Sequence, residues 1–336
     1  MKKFIMLILT SVITITSIAS KNTWQFTGIK SAEITNDVST LTNNLTLTIP
    51  KKITWQGMPV GIGIDAIIKR GDLVTVECGY DGILKNRFSG FVKQVNNKMP
   101  VTIICEDGMF LLKQKAIEKK GFKQTTIEQL MAFLLQGTNI KFNCIDKNIK
   151  LGNYRITKNN VAEELNEIKK EYGLHCYFRT IKNEQILYIG FAFPFDNVNK
   201  ASFMHGKNII AENFEYKNAD DIKLKVTAIS IDKKNNRIKE VAGDKDGEAI
   251  TVYAYGLDKA ALKTFAEASV KKYKYTGLKG SFTTFGEPLV THADNAYIES
   301  EDGNKGTYLI KKVVTNFGTD GYRQVVDLGE IINLKS

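Results

Sequence analysis

The chain has 336 residues, which is enough for two or three domains that each bury a core of their own. Hydrophobic residues make up 43% of it and charged residues 25%, which excludes a chain that is disordered throughout. The formal net charge of +11 would suit an anionic partner, but the lysines are scattered, often as pairs at expected turns such as Lys51-Lys52 and Lys311-Lys312. This distribution favours a solvated basic surface over a nucleic-acid groove.

Residues 1–19 fit two interpretations. Met1-Lys2-Lys3 followed by an apolar run at 4–15 has the pattern of a secretory signal peptide. The alternation of isoleucine and threonine at 13–16, rich in β-branched residues, instead favours a first β-strand. We favour the strand. The run is also too short and too rich in threonine to predict a transmembrane helix.

Two further strands are predicted at 24–29 and 45–49, and Pro50 ends the second of them. Residues 51–69 then form a predicted loop with several glycines. Trp55 and Met58 are large apolar side chains in this loop. We predict that they contribute to a subunit interface, with the alternative that Trp55 caps its own barrel.

Residues 71–112 carry the clearest β pattern of the chain. Val74, Val76 and Cys78 alternate with polar residues, so one face of this strand is predicted to be buried. Asp81-Gly82 follows, a dipeptide typical of a two-residue hairpin turn. The return strand and a third strand complete an antiparallel meander, which is enough to close much of a small barrel.

The middle of the chain mixes helix and strand. Thr125 and Glu128 have the spacing of a capping box at the start of one helix. Asn160 begins a second helix, which Gly173 ends. A predicted hairpin at 174–191 follows, so this part forms a compact α+β module.

A second set of strands occupies the rest of the chain. Strands are predicted at 222–232, 237–241 and 251–255. Asp258 then caps a predicted helix at 258–275. Strands separated by glycine turns continue to residue 328, so the end of the chain is predicted to be a second meander.

The residues do not form a pattern typical of catalysis or metal binding. The histidines share no metal-ligand spacing, and the cysteines contain no C-x-x-C pair, so all four cysteines are predicted to be free thiols. Glu163, Glu164, Glu167 and Glu171 are predicted to lie on the solvated face of their helix. We therefore predict that the chain has no metal, no cofactor and no enzymatic activity.

The order of RGDLVTVECGYDG, RFSGFVKQV and MPVTIICEDGMFLLK resembles the baseplate hub proteins of phage and phage-like contractile tails, the late control D kind. In that family a hub subunit ends the tail tube and carries the spike. The resemblance continues through the α+β module and the second meander. It implies a homotrimer with two similar barrels in each chain, so that six barrels match a sixfold tube.

The pattern and the resemblance together predict a β-rich α+β fold with two small antiparallel β-barrels and an α+β module between them. The predicted division is 1–115 for the first barrel, 116–203 for the module and 204–336 for the second barrel, with the helix near 258–275 inserted in it. The partners implied are tube, spike and other baseplate proteins, in a virion tail made in the bacterial cytoplasm. The alternative is a secreted β-rich protein that binds cell-surface glycan, which would use residues 1–19 as a signal peptide.

Overall fold

The computed structural model describes residues 8–49, 67–145, 149–190, 200–231 and 236–331. Strands dominate and the helices are few and short, so the predicted β-rich α+β class is confirmed. Three large hydrophobic clusters mark three units, which we name the first β unit, the α+β module and the second β unit.

The first β unit consists of seven antiparallel strands in the spatial order β3-β4-β7-β6-β5-β1-β2. Its inward side chains alternate with half-exposed ones along each strand and are almost completely buried, as a period of two requires. The strands are β1 (Leu9–Thr16), β2 (Thr23–Phe26), β3 (Ser31–Asp37), β4 (Asn44–Ile49), β5 (Leu73–Tyr80), β6 (Ile83–Asn96) and β7 (Val101–Glu106).

Residues Leu9–Thr16 form β1, which confirms the prediction of a strand at 13–16. It pairs with β5 along its whole length and with β2 on the other side. Ile13 and Ile15 are fully buried in the core of the first β unit. Within the described residues, no helix has both the length and the apolar character needed to cross a membrane.

The hairpin turn predicted at Asp81-Gly82 is also confirmed. Both residues have positive φ, 52° and 78°, and β5 and β6 pair directly across them. Positive φ at both central residues is the conformation that matches the twist of the flanking strands.

The α+β module follows the first β unit directly. It contains α1 (Met109–Gln114), β8 (Gly121–Thr126), α2 (Ile127–Leu134), β9 (Lys141–Cys144), β10 (Lys150–Arg155), α3 (Val161–Tyr172), β11 (His175–Ile181) and β12 (Glu184–Gly190). The capping box is present but lies one residue later than predicted, with Thr126 and Gln129 exchanging the two hydrogen bonds. As predicted, Asn160 caps the start of α3 and Gly173 ends it.

The remaining elements form the second β unit and an insertion in it. They are β13 (Lys200–Met204), β14 (Ile209–Lys217), β15 (Leu224–Ile231), β16 (Arg237–Gly243), β17 (Glu248–Tyr255), α4 (Lys259–Tyr273), β18 (Gly277–Phe285), β19 (Asn295–Glu299), β20 (Lys305–Gly318) and β21 (Gly321–Ile331). The core of the second β unit comes from β13, β14 and β18 to β21.

The strands β15 to β17 do not join the second meander, which corrects the sequence prediction. They form a separate sheet in the order β16-β15-β17, with β15 and β17 parallel. The predicted helix is present as α4, begins after the Asp258 cap and packs on this sheet. Ile229 and Ile231 on the opposite face of the sheet enter the core of the α+β module. Alternation along a strand predicts a buried face but not which partner covers it.

The two β units share one continuous sheet. β20 of the second β unit pairs antiparallel with β3 of the first, from Lys312 opposite Asp37 to Gly318 opposite Ser31. Hydrogen bonding therefore runs from β14 at one end to β2 at the other. Phe317 and Tyr322 of the second β unit pack into the core of the first, so the seam is apolar as well as hydrogen-bonded.

Glu164 corrects the prediction that the four glutamates of α3 are solvated. Its side chain is fully buried and accepts a hydrogen bond from the Tyr154 hydroxyl at 2.6 Å. The other carboxylate oxygen accepts from the backbone N–H groups of Thr157 and Lys158. A buried carboxylate is stable when its oxygens are bonded in this way, so Glu164 fixes the loop before α3.

Candidate functional site: a polar junction between the three units

The three units meet around a polar cavity of about 320 Å³. Its walls come from the first β unit, from β11 and β12 of the α+β module, and from β20 and the loop between β18 and β19 of the second β unit. The residues that the cavity brings together include Asn43, Arg87, Asp107, Arg179, His292 and Asp294. We refer to the hydrogen bonds and ion pairs around this cavity as the junction.

Arg87 on β6 ties the first β unit to the second. Its side chain is 1% exposed, and its Nη2 donates to the Gly286 carbonyl at 3.0 Å and to Oε1 of Glu287 at 2.8 Å. The guanidinium also lies over the Tyr322 ring, 5.0 Å from its centroid. Lys85 reaches the other oxygen of Glu287 at 2.8 Å. A buried cation is stable only when it is paired, so this arrangement fixes the loop after β18 against β6.

Arg179 and His292 tie the α+β module to the second β unit. Nη2 of Arg179 lies 2.6 Å from Oδ1 of Asp294 in an ion pair that is almost completely buried. Nη1 of the same arginine donates to the Ala293 carbonyl at 3.3 Å. The Nε2 atom of His292 lies 2.9 Å from the Phe178 carbonyl oxygen, which can only accept, so Nε2 carries the proton and donates.

Asp107 and Asn43 complete the junction from the side of the first β unit. The two carboxylate oxygens of Asp107 accept from the backbone N–H of Asn43 at 2.9 Å and of Met109 at 3.0 Å. The side-chain amide of Asn43 then donates to the Phe178 carbonyl at 3.1 Å. That one carbonyl of the module therefore accepts from both Asn43 and His292, one residue from each β unit.

Gln185 adds a second contact between the module and the first β unit. Its Oε1 accepts from the backbone N–H of Gly108 at 2.6 Å, and its Nε2 donates to the Ser89 carbonyl. Both contacts join residues far apart in the sequence, so they form only when the module is seated on the first β unit.

Burial shifts the acidity of two junction groups in opposite directions. Desolvation raises the pKa of Asp107 from 3.8 to about 7, although the N–H donors of Asn43 and Met109 act in the other direction. Desolvation and then the charge of Arg179 lower the pKa of His292 from 6.5 to about 3. The imidazole is therefore neutral at physiological pH, in agreement with its single donated hydrogen bond.

The chemistry of the junction is that of a structural contact. Its charged groups are paired with each other or bonded to backbone groups, and the pairs cross from one unit to another. Among the described residues no group of three or more His, Cys, Asp or Glu side chains is placed to hold a metal ion. What the arrangement can do is hold the three units in one relative position.

The residues predicted for a subunit interface, Trp55 and Met58, lie outside the described residues, so that prediction stays open. The junction itself was not predicted. Asp107-Gly108 after β7 has the sequence of an ordinary turn, and His292 stands alone in the sequence. Arg87 carried no signal either, because it stands next to the core residue Phe88 of β6 and the sequence gives no indication of the partners it reaches.

The comparisons with known proteins give different results for the sequence and for the structure. No protein-family model matches the chain, and no curated protein matches it. Its fold, in contrast, is similar to that of solved tail proteins. The 43 kDa tail protein of prophage MuSo2 from Shewanella oneidensis matches with a TM-score of 0.63 and 15% identity, over 95% of this chain and 97% of that one.

A tail protein from Neisseria meningitidis MC58 is similar to the same degree, with a TM-score of 0.64 and 14% identity, over 95% of this chain and 96% of that one. A component of the Escherichia coli type VI secretion system, described as structurally similar to T4 tail proteins gp27 and gp5, matches with a TM-score of 0.56 and 10% identity. That match covers 90% of this chain and 73% of the other. At these identities the likeness shows the fold, which is that of phage-type tail proteins.

Proposed function

We propose that this chain is a structural protein of a phage-type tail and that it acts as the hub that joins the tail tube to the spike. The observation that carries the proposal is the extent of the structural match. The match to two tail proteins extends over 95% of this chain and 96–97% of theirs, so it is not confined to one of the three units. A match of this extent is not limited to one widespread small barrel.

The internal architecture supports the hub proposal. Each chain presents two β units that share a sheet through β3 and β20. Three such chains around an axis would present six β units, and a closed ring of this kind requires a heterologous interface between neighbouring copies. A trimer could then match a sixfold tube on one side and a threefold spike on the other.

The junction has a clear role in this proposal. A hub transmits load between tube and spike, so its two β units must keep a fixed relative position. The ion pairs Arg87–Glu287 and Arg179–Asp294, together with the shared Phe178 carbonyl, supply that rigidity. This role requires no catalysis, and we propose that the chain is not an enzyme.

Several finer parts of the proposal concern assembly. The partners would be tube, spike and other baseplate proteins, and the chain would reside in the tail of a particle made in the bacterial cytoplasm. The division into 1–115, 116–203 and 204–336 remains our proposal for the domains. We further propose that Trp55 and Met58 contribute to the trimer interface. The secreted, glycan-binding alternative depends on residues 1–19, and within that stretch Leu9–Thr16 form β1 in the first β unit.

The experiment that tests the proposal is the composition of purified particles from the organism that encodes the chain. Quantitative mass spectrometry with an isotope-labelled standard should find this chain at three copies per particle, against six copies for each ring of tube protein. Finding the chain at three copies in particles that carry a spike would support the hub. Its presence in the culture medium or on the cell surface, and its absence from particles, would contradict the proposal.

A further inference from the structure

Within the part of the chain that the structure describes, two titratable side chains are buried in the junction without an ion pair of their own. Asp107 is 3% exposed and His292 is 1% exposed. Asp107 is bonded to the backbone of Asn43, whose side chain donates to the Phe178 carbonyl, and His292 donates to that same carbonyl. The two groups are therefore connected through one residue of the module, although one belongs to the first β unit and the other to the second.

Other charged and titratable groups also face this pair. Hydrogen bonds from Lys113 and Lys93 lower the pKa of Glu106, next to Asp107. Arg179 is paired with Asp294, and burial raises the pKa of the Cys176 thiol to about 12. The charged and titratable groups that face the pair are Asp37, Arg87, Lys93, Glu106, Lys113, Cys176, Arg179 and Asp294.

We propose that Asp107 and His292 compensate each other, so that the junction stays closed with nearly the same strength from acidic to mildly basic pH. In the closed junction below neutral pH, a proton rests on Asp107 and none on His292. When the junction opens and water reaches both groups, Asp107 releases a proton and His292 takes one up. The number of bound protons then does not change, so the equilibrium has almost no dependence on pH.

Asp107 and His292 respond to pH in opposite directions. The pKa of Asp107 is raised in the closed state. Its contribution to the stability of the closed junction is therefore fully present below pH 3.8 and is lost as the pH rises through about 7. The pKa of His292 is lowered in the closed state. Its contribution to the stability of the closed junction is therefore fully present above pH 6.5 and is lost as the pH falls toward about 3. The two pH ranges overlap, and within them the two contributions change with pH in opposite directions, so the changes cancel. This inference concerns the fold alone and does not depend on the proposed function.

Hydrogen exchange at the backbone N–H groups of Asn43 and Met109 measures the opening, because both donate to Asp107. Protection factors, corrected for the intrinsic pH dependence of exchange, should change by no more than about threefold between pH 8 and pH 5 in the unaltered protein. In Asp107→Asn, only His292 titrates, and opening should increase roughly thirtyfold as the pH falls from 8 to 5. In His292→Gln, which keeps a donor for Phe178, opening should decrease roughly a hundredfold.

Asp72→Asn is the matched control. Asp72 is also 3% exposed, and its carboxylate also accepts backbone N–H groups, from Lys69 at 2.7 Å and Ile18 at 3.2 Å. It lies within the first β unit and away from the junction, so the control should leave the exchange at Asn43 independent of pH. The double variant Asp107→Asn/His292→Gln should also be independent of pH, because neither titrating group remains.

A measurement on the unaltered protein covers the case in which a variant fails to fold. The chain has three histidines, so the NMR signal of the His292 Hε1 proton can be followed from pH 8 to pH 4.5. We expect no titration of this signal, whereas an exposed histidine titrates near pH 6.5. Titration of His292 near pH 6.5, or a tenfold change in opening per pH unit in the unaltered protein, would overturn the proposal.

Discussion

Gly82 occupies the second central position of the turn between β5 and β6, with φ of 78° and open space where a Cβ atom would lie. The cost of a side chain here is therefore conformational and not steric. We expect Gly82→Val to destabilise the protein by about 1–3 kcal/mol, because a β-branched residue resists positive φ. Urea unfolding measures this loss.

Gly28→Val is the control for this substitution. Gly28 also has open space at its Cβ position, but its φ lies outside the positive range. We expect a change of less than about 0.5 kcal/mol. If the two variants unfold at the same urea concentration, the turn conformation assigned to Gly82 is wrong.

The four cysteines are buried as thiols. Burial raises the pKa of Cys78 and of Cys176 to about 12, and raises that of Cys105 as well. Since the thiolate is the reactive form, we expect all four to resist alkylation in the folded protein and to react fully in denaturant. Intact mass measured under both conditions, with and without reduction, tests this. A disulfide-linked pair found without reduction would contradict it.

At the scale of residues, the sequence predicted those positions whose environment is set by near neighbours. Asp81-Gly82 and the inward Cys78 and Cys105 are of this kind, because turn chemistry and alternation are local. The burial of Glu164 was missed because its partner, the Tyr154 hydroxyl, lies outside α3 on strand β10. Asp107 was missed for the same reason, since its burial depends on the module packing against the first β unit.

At the scale of elements, the seam between β6 and the loop after β18 offers a matched pair of variants. Arg87 and Lys85 bind the two oxygens of the same carboxylate, Glu287, but their side chains are 1% and 46% exposed. We expect Arg87→Ala to cost about 2–3 kcal/mol, because it leaves the buried Gly286 carbonyl without its donor and removes the contact with the Tyr322 ring. Lys85→Ala should cost less than about 1 kcal/mol.

Thermal unfolding of both variants gives the comparison. The result that would count against the structural role of Arg87 is an equal shift of the two midpoints. The structural role would also be contradicted if the difference in stability between Arg87→Ala and the unaltered protein disappeared at high salt. Buried ion pairs are screened by salt much less than exposed ones.

The first strand provides a further test at this scale. Ile13 is fully buried in β1, whereas Val12 beside it is half-buried on the other face. We expect Ile13→Ala to destabilise the protein by about 2–4 kcal/mol and Val12→Ala by less than about 1.5 kcal/mol. Mature protein should also retain residues 9–16 when its N-terminus is sequenced. A folded, stable protein that lacks β1 would contradict its place in the core.

Element identity followed from the sequence better than element pairing did. The strand at 13–16, the caps of α3 and the helix after Asp258 were predicted from local signals. The separate sheet of β15 to β17 was not, because a parallel partner such as β17 is fixed by packing on the α+β module. Register and partner choice are tertiary properties that periodicity leaves open.

At the scale of the whole molecule, the two β units form one sheet of thirteen strands that is continuous through β3 and β20. Two meanders were predicted, but their fusion was not, because no short-range pattern joins residues almost three hundred positions apart. The fusion and the junction together connect the three units through strand pairing, a shared apolar core and buried ion pairs.

The central claim is that three copies of this chain form the hub, and mass photometry tests it most directly. The purified chain should be measured alone and with the spike protein of the same particle. We expect a trimer, or a monomer that becomes a trimer when the spike is added, and Trp55→Ser/Met58→Ser should weaken that trimer. A stable dimer in both conditions would contradict the hub, since a dimer uses a self-complementary interface that cannot close a threefold ring.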